Sequence, residues 1–254
     1  MTIEQAKKYL LRIGAEYYSD ATAEYLAALQ YAHLHAVPYE NMDILRKVRI
    51  DLSEEAIYKK VVENRRGGYC FELNKLFGIL LSTLGFKVTN YVARYLRGET
   101  GIPHRRHQVL RVTCEDGREF LCDVGVGAVI PLRPVPYIFG KISEQENGTY
   151  SLRKDDTFGV VLTESYRGTW RDVYGFTEEP QLAPDYDYAS FWCEFAPDSP
   201  FNTQEMVSIR KEGNIRCTLD GNIYRVFSPE GVTEKTLNDA EMQETLVSVF
   251  GIRL

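Results

Sequence analysis

A chain of 254 residues, 44% hydrophobic, is long enough to bury a core and to divide it among two or three subdomains. Its net charge of −6 argues against a nucleic-acid surface, and the lack of a basic-then-apolar leader or of about 18 consecutive apolar residues argues against export and membrane spanning. The five cysteines, at 70, 114, 122, 193 and 217, contain no CxxC pair, which points to a reducing, cytoplasmic setting and to neither a metal site nor a disulfide framework. In chain order, Thr2 precedes Ile3, Ala6, Leu10 and Ile13, which share one helical face, so Thr2 reads as an N-cap. A second apolar-periodic stretch over Ala21 to Ala36 ends at Val37-Pro38, because the residue before a proline is held out of the helical region. Leu73, Leu76, Phe77, Leu80, Leu81 and Leu84 define a third helix that starts near Tyr69 or Cys70 and stops at Gly85.

From Lys87 the period shortens to that of strands: KVTNYVARYL, HQVLRVTC, REFLCDVGV, TYSLRK, TFGVVLTES and WRDVYGF, punctuated by Gly, Pro, Asp and Asn. Residues 177–200 are rich in Pro and Asp and read as a linker. MVSIRK, NIRCTL and NIYRVF follow as strands, and a closing helix spans about 238–250. Helices, then antiparallel strands, then a small mixed tail make an α+β chain, divided at 1–85, 86–178 and 179–254. The basic pairs Arg65/Arg66, Arg105/Arg106 and Arg210/Lys211 read as solvated charge with room to receive a small anion.

Cys70 falls where Gly67-Gly68, with its backbone freedom, turns into a helix. A thiol in a first helical turn lies beside unpaired N–H groups and the positive end of the macrodipole, both of which favour the thiolate. The plainer alternative is a small buried core residue. A nucleophile needs a base, and the chain has four histidines: His33, His35, His104 and His107. His33 and His35 precede the Pro38 break and read as surface or packing residues. His104 and His107 precede a strand, and Asp123 ends the next one. If Glu115-Asp116-Gly117 forms a three-residue loop with a left-handed glycine, Cys114 pairs with Arg118 and Val109 faces Asp123. His107 then shares a face with Asp123 one diagonal step away, roughly 7–8 Å between backbones, while His104, Cys114 and Cys122 have the opposite parity. A two-residue Asp116-Gly117 turn is the rival and would send His107 and Asp123 to opposite faces unless a bulge intervened.

RRGGYCFELNKLFGILLSTLGF resembles the nucleophile motif of the arylamine N-acetyltransferases, RGGxCxExNxLF followed by a leucine-rich helix. YLLRIGAEYYSDATAEYLAALQYAHLHAVPYENMDIL is similar to their N-terminal signature, and HQVLRVTCEDGREFLCDVGVG to their His strand and Asp-Val-Gly-Phe-Gly strand. DSPFNTQEMVSI resembles the segment that opens their third domain, so the resemblance runs along nearly the whole chain. It implies a helical bundle, a β-barrel-like domain and an α/β lid, with a papain-like placement of Cys70, His107 and Asp123 as the triad. It implies acetyl-CoA as donor co-substrate rather than a resident cofactor, and a small aromatic amine or hydrazine as acceptor. Transfer would be ping-pong, through an acetyl-cysteine. By the same resemblance Gly125, Val126, Gly127 and Phe201 are expected at the CoA site, and Tyr39, Val126, Ile130 and Phe201 in the acceptor pocket. The sequence departs from the usual pattern at Val126, Tyr39 and Ile130, which implies a changed preference among amines. A papain-like cysteine hydrolase, an amide synthase that takes a carrier-bound acyl chain, and a non-catalytic binding module are the competing classes.

Overall fold

In the computed structural model, which describes residues 1–128 and 130–253, Thr2 and Gln5 exchange side-chain-to-backbone hydrogen bonds. This reciprocal cap opens α1 (Ile3–Ile13), and Gly14, left-handed at φ 72°, closes it. The Thr22 hydroxyl opens α2 (Ala23–Ala36), and Val37-Pro38 ends it and leads into β1 (Tyr39–Glu40). Two short helices follow, α3 (Met42–Leu45) and α4 (Glu54–Tyr58), the latter continued by a π turn over Lys59–Glu63. Next comes α5 (Cys70–Thr83), whose Leu73, Leu76, Phe77, Leu80 and Leu81 are all fully buried. Gly85, left-handed at φ 93°, terminates this helix, with the Phe86 N–H donating to the Leu81 carbonyl. The predicted stripe is thus the centre of the helical core.

The predicted strands appear as β2 (Lys87–Tyr95), β3 (Arg105–Thr113), β4 (Glu119–Cys122), and, after β5 (Val135–Pro136) and β6 (Ser143–Gln145), as β7 (Gly148–Asp155), β8 (Gly159–Tyr166) and β9 (Thr169–Phe176). They form one antiparallel sheet in the order β5-β4-β3-β2-β9-β8-β7-β6. A bridge between Phe139, just past β5, and Leu152 of β7 brings its two edges together, so the sheet is nearly a closed barrel. The two faces of β3 and β4 serve different cores. Leu110, Val112, Cys114 and Cys122 pack with α5, whereas Val109 and Leu121 fill the barrel with Tyr91 and Tyr174.

The segment read as a linker contains a helix, α6 (Asp185–Phe195). Its Pro and Asp residues are start signals: Pro184 is the N-cap residue, and Asp185 and Asp187 occupy the first turn, where carboxylates oppose the macrodipole. A short 3₁₀ turn over Pro200–Asn202 leads to β10 (Met206–Lys211), β11 (Ile215–Asp220), β12 (Ile223–Ser228) and β13 (Gly231–Thr236), then α7 (Asp239–Ser248). β13 has all six residues exposed, so it carries none of the alternation that marks a half-buried strand. The second sheet runs β1-β10-β11-β12-β13, so a strand from the first 45 residues completes the sheet of the last 50. Among the described residues no helix is long and apolar enough to cross a membrane.

Candidate active site

Close packing shapes the turn that delivers Cys70. Neither Gly67 nor Gly68 is left-handed, so the expected conformational freedom is not what requires them. A Cβ on Gly67 would sit 2.0 Å from the Pro38 carbonyl oxygen, and one on Gly68 2.8 Å from Glu72 Oε2. The left-handed residue of the turn is Arg65, at φ 55°. Behind the turn lies a largely buried charge network. Lys60 pairs with Asp43 (2.7 Å) and Glu72 (2.8 Å), and Arg66 with Glu40 (2.7 Å) and Asp43 (3.0 Å). Arg66 is therefore no solvated cation. Glu72 also accepts from the Tyr69 N–H at 3.1 Å, fixing the N-terminal end of α5. The Tyr69 hydroxyl lies 2.6 Å from Ser190 Oγ, which donates to Glu194, so α6 braces the same turn.

Cys70 is the first residue of α5, so its own N–H has no partner inside the helix. The predicted hairpin delivers the other two groups. Gly117 is left-handed at φ 83°, its N–H donates to the Cys114 carbonyl, and the Cys114 N–H donates to the Arg118 carbonyl. Leu110 pairs with Cys122 in the odd-loop register, and His107 Nε2 lies 2.7 Å from Asp123 Oδ2. This leaves Nδ1 to meet the Cys70 thiol. Burial disfavours an imidazolium here, but the charge and hydrogen bond of Asp123, helped by Cys70, hold His107 up to about 10. Burial likewise pushes the Cys70 thiol up, and the His107 hydrogen bond and charge pull against it. A thiolate at Cys70 therefore depends on a charged His107.

Asn74 is a site residue that sequence reasoning missed. Its Nδ2 donates to Asp123 Oδ1 (2.8 Å) and to the Gln108 carbonyl (2.7 Å), and its Oδ1 accepts from the Val124 N–H (2.9 Å). One signal existed: Asn74 follows Cys70 by four residues, on the same helical face, and is the polar member of a buried stripe. Asn41 is a second omission. Its amide donates to the carbonyls of Phe201 (2.7 Å) and Gln204 (2.8 Å), pinning the Phe201 segment to the start of α3.

Cys70 and His107 open onto a cavity of about 340 Å³. Tyr39, Gly125, Val126, Gly127 and Phe201 all line it, as do Arg97, Arg106, and Arg216 and Thr218 of β11. Ile130 does not. It is fully buried in the core shared with the helices, so its expected place in the acceptor pocket is corrected. The two glycines of Gly125-Val126-Gly127 are required by the protein itself: a Cβ on Gly125 would lie 2.7 Å from Cys70 Cα, and one on Gly127 2.7 Å from the Tyr39 ring. The remaining histidines stand apart from Cys70 and Asp123. His33 is buried between the rings of Tyr9 and Phe77, where burial and then Arg12 push it down to about 3. His35 stacks on Tyr31, and His104 packs against Trp192. Of the basic pairs, Arg106 is bound to Glu99, and Arg210 is buried and donates to the Ala128 carbonyl at 2.9 Å.

A family model described as N-acetyltransferase matches residues 22–254. The chain is 33% identical over 252 residues to the arylamine N-acetyltransferase of Mycobacterium bovis, covering 97% of this chain and 88% of that one. Among solved structures, that of the Mycobacterium marinum arylamine N-acetyltransferase in complex with CoA is similar with a TM-score of 0.88 at 32% identity, covering 97% of this chain and 92% of that one. The arylamine N-acetyltransferase of Salmonella typhimurium is similar with a TM-score of 0.93 at 27% identity, covering 99% and 92%.

Proposed function

The chain belongs to the arylamine N-acetyltransferase family, and from that premise we propose that it moves the acetyl group of acetyl-CoA to a small aromatic amine or hydrazine by a ping-pong mechanism through acetyl-Cys70. The Cys70 thiolate attacks the thioester carbonyl carbon, the bond to the CoA sulfur breaks, and His107 gives its Nδ1 proton to the departing thiolate. The amine nitrogen then attacks the acetyl group on Cys70. His107, now neutral, takes the amine proton as the cysteine leaves, which restores the ion pair. Asp123 keeps the Nε2–H in place, so Nδ1 is the nitrogen that gives and takes the proton. The Cys70 N–H is positioned to donate to the developing oxyanion, a contribution of about 3 kcal/mol where aligned.

The observation that carries this reading is the buried Cys70–His107–Asp123 arrangement facing a cavity sized for a small ligand. The five free cysteines fit a cytoplasmic enzyme. Incubation with acetyl-CoA and no amine should add one acetyl group to Cys70, read by mass spectrometry. Cys70→Ser should lose transfer while keeping its circular dichroism, because a neutral hydroxyl at the helix start is a far poorer nucleophile. Substantial transfer by that variant would sink the covalent mechanism. Steady release of acetate without amine would point to the hydrolase class instead.

A further inference from the structure

Most charged side chains on the cavity wall are already engaged. Arg97 pairs with Glu164, Arg106 with Glu99, and Asp220 with Arg225 at 2.8 Å. Arg216 is different. Its guanidinium lies over the Phe227 ring, 3.8 Å from the centroid, and among the described residues no carboxylate stands within ion-pair distance of it. Burial, more than any neighbour, pushes its pKa down, with Asp220 only partly opposing. Two residues along β11, on the same face by the strand period, Thr218 lines the same cavity. Its hydroxyl is buried, the residue being 6% exposed, and has no hydrogen-bond partner among the described residues. A partly exposed guanidinium without an ion-pair partner thus stands two residues from a buried hydroxyl without a hydrogen-bond partner, and that hydroxyl is costly unless a ligand satisfies it.

We propose that Arg216 and Thr218 form a carboxylate-binding subsite, and that the preferred acceptor is an aromatic amine or hydrazine carrying an acid group. Stacking on Phe227 holds the guanidinium plane and leaves its N–H edge for a two-oxygen anion, with the Thr218 O–H as a further donor. A phosphate of the acyl donor is the other source of such an anion. The cavity favours the acceptor: at about 340 Å³ it lies at the small end of ligand pockets and suits one substituted ring, not a nucleotide. This assignment rests on the transferase reading above.

The test compares 4-aminobenzoate with its methyl ester, which share ring and amine but differ in charge. In the wild type kcat/KM should favour the acid. Arg216→Met should lower the acid-to-ester ratio by roughly ten- to a hundredfold, as expected for losing a charged hydrogen bond. Arg216→Lys should keep part of the preference, and Thr218→Val should lose part of it. A ratio that moves in neither Arg216→Met nor Thr218→Val overturns the subsite. So does an equal loss for both acceptors accompanied by a raised KM for acetyl-CoA, which would assign the anion to the donor. Independently of any variant, benzoate should protect wild-type Cys70 from iodoacetamide better than benzamide does, and equal protection overturns the proposal. Absence of acetyl-Cys70 in the wild type would bring down the transferase reading itself, a result the two acceptors cannot mimic.

Discussion

Asp123 has three donors converging on its carboxylate: the His107 ring, the Asn74 amide and the Gly125 N–H. The carboxylate is thereby aimed at one ring nitrogen, and its charge keeps the imidazole protonated. Asp123→Asn keeps the shape and removes the charge. His107 should then fall from about 10 toward its ordinary range, and the Cys70 thiol, losing its cationic neighbour, should go further up. Alkylation of Cys70 by iodoacetamide at pH 7 should slow by about tenfold for each unit of upward shift, and its pH profile should move to the alkaline side. A profile that stays in place would show that Asp123 only orients the ring. At this scale Cys70 was legible because a helix start has a recognisable pattern, and His107 and Asp123 because hairpin loop length sets parity. Asn74 was passed over, since a polar residue in an apolar stripe says nothing of its partner until β3 and β4 are laid against the helix. Ile130 was misplaced because nearness in sequence to Val126 does not decide which side of a loop faces the cavity.

The hairpin between β3 and β4 and the loop after β4 use glycine for opposite reasons. Gly117 is left-handed with nothing within 4 Å of a would-be Cβ, whereas Gly125 is not left-handed, but a Cβ there would lie 2.7 Å from Cys70 Cα and 2.6 Å from Asn74 Nδ2. Gly117→Ala should therefore cost about 1 kcal/mol of stability and leave acetylation of Cys70 intact. Gly125→Ala must push the loop away from α5, costing about 1–3 kcal/mol and slowing acetylation by at least tenfold. Denaturant midpoints and the rate of acetyl-enzyme formation distinguish the two, and equal effects on both variants would contradict this division. Elements with strong periodicity were readable in advance: α1, α2, α5 and the long strands. α6 was not, because its first-turn acids and proline look like linker composition unless the following aromatic residues are seen to bury Tyr186 and Cys193.

Across the whole molecule, two buried histidines pull stability in opposite directions with pH. His33, depressed to about 3, is neutral in the fold. Its contribution is therefore complete above its ordinary pKa near 6.5 and is lost as pH falls toward 3. His107, raised to about 10, is charged in the fold, so its contribution is complete below about 6.5 and is lost as pH rises through 10. Stability should peak near pH 6.5, each limb sloping by up to about 1.4 kcal/mol per pH unit. Urea midpoints from pH 5 to 9 should show His33→Phe flattening only the acid limb and Asp123→Asn only the alkaline one. Unchanged slopes in both variants would place the linkage elsewhere. The sequence by itself determined the order of helices and strands, the helix-start cysteine and the hairpin parity that joins His107 to Asp123, because these follow from local periods and turn chemistry. Only the tertiary structure decided that β1 completes the second sheet, that Gly125 must be small, that Ile130 is buried in the core and that Arg216 and Thr218 line the same cavity as Cys70. Those depend on contacts between residues far apart in the chain, which no local period encodes.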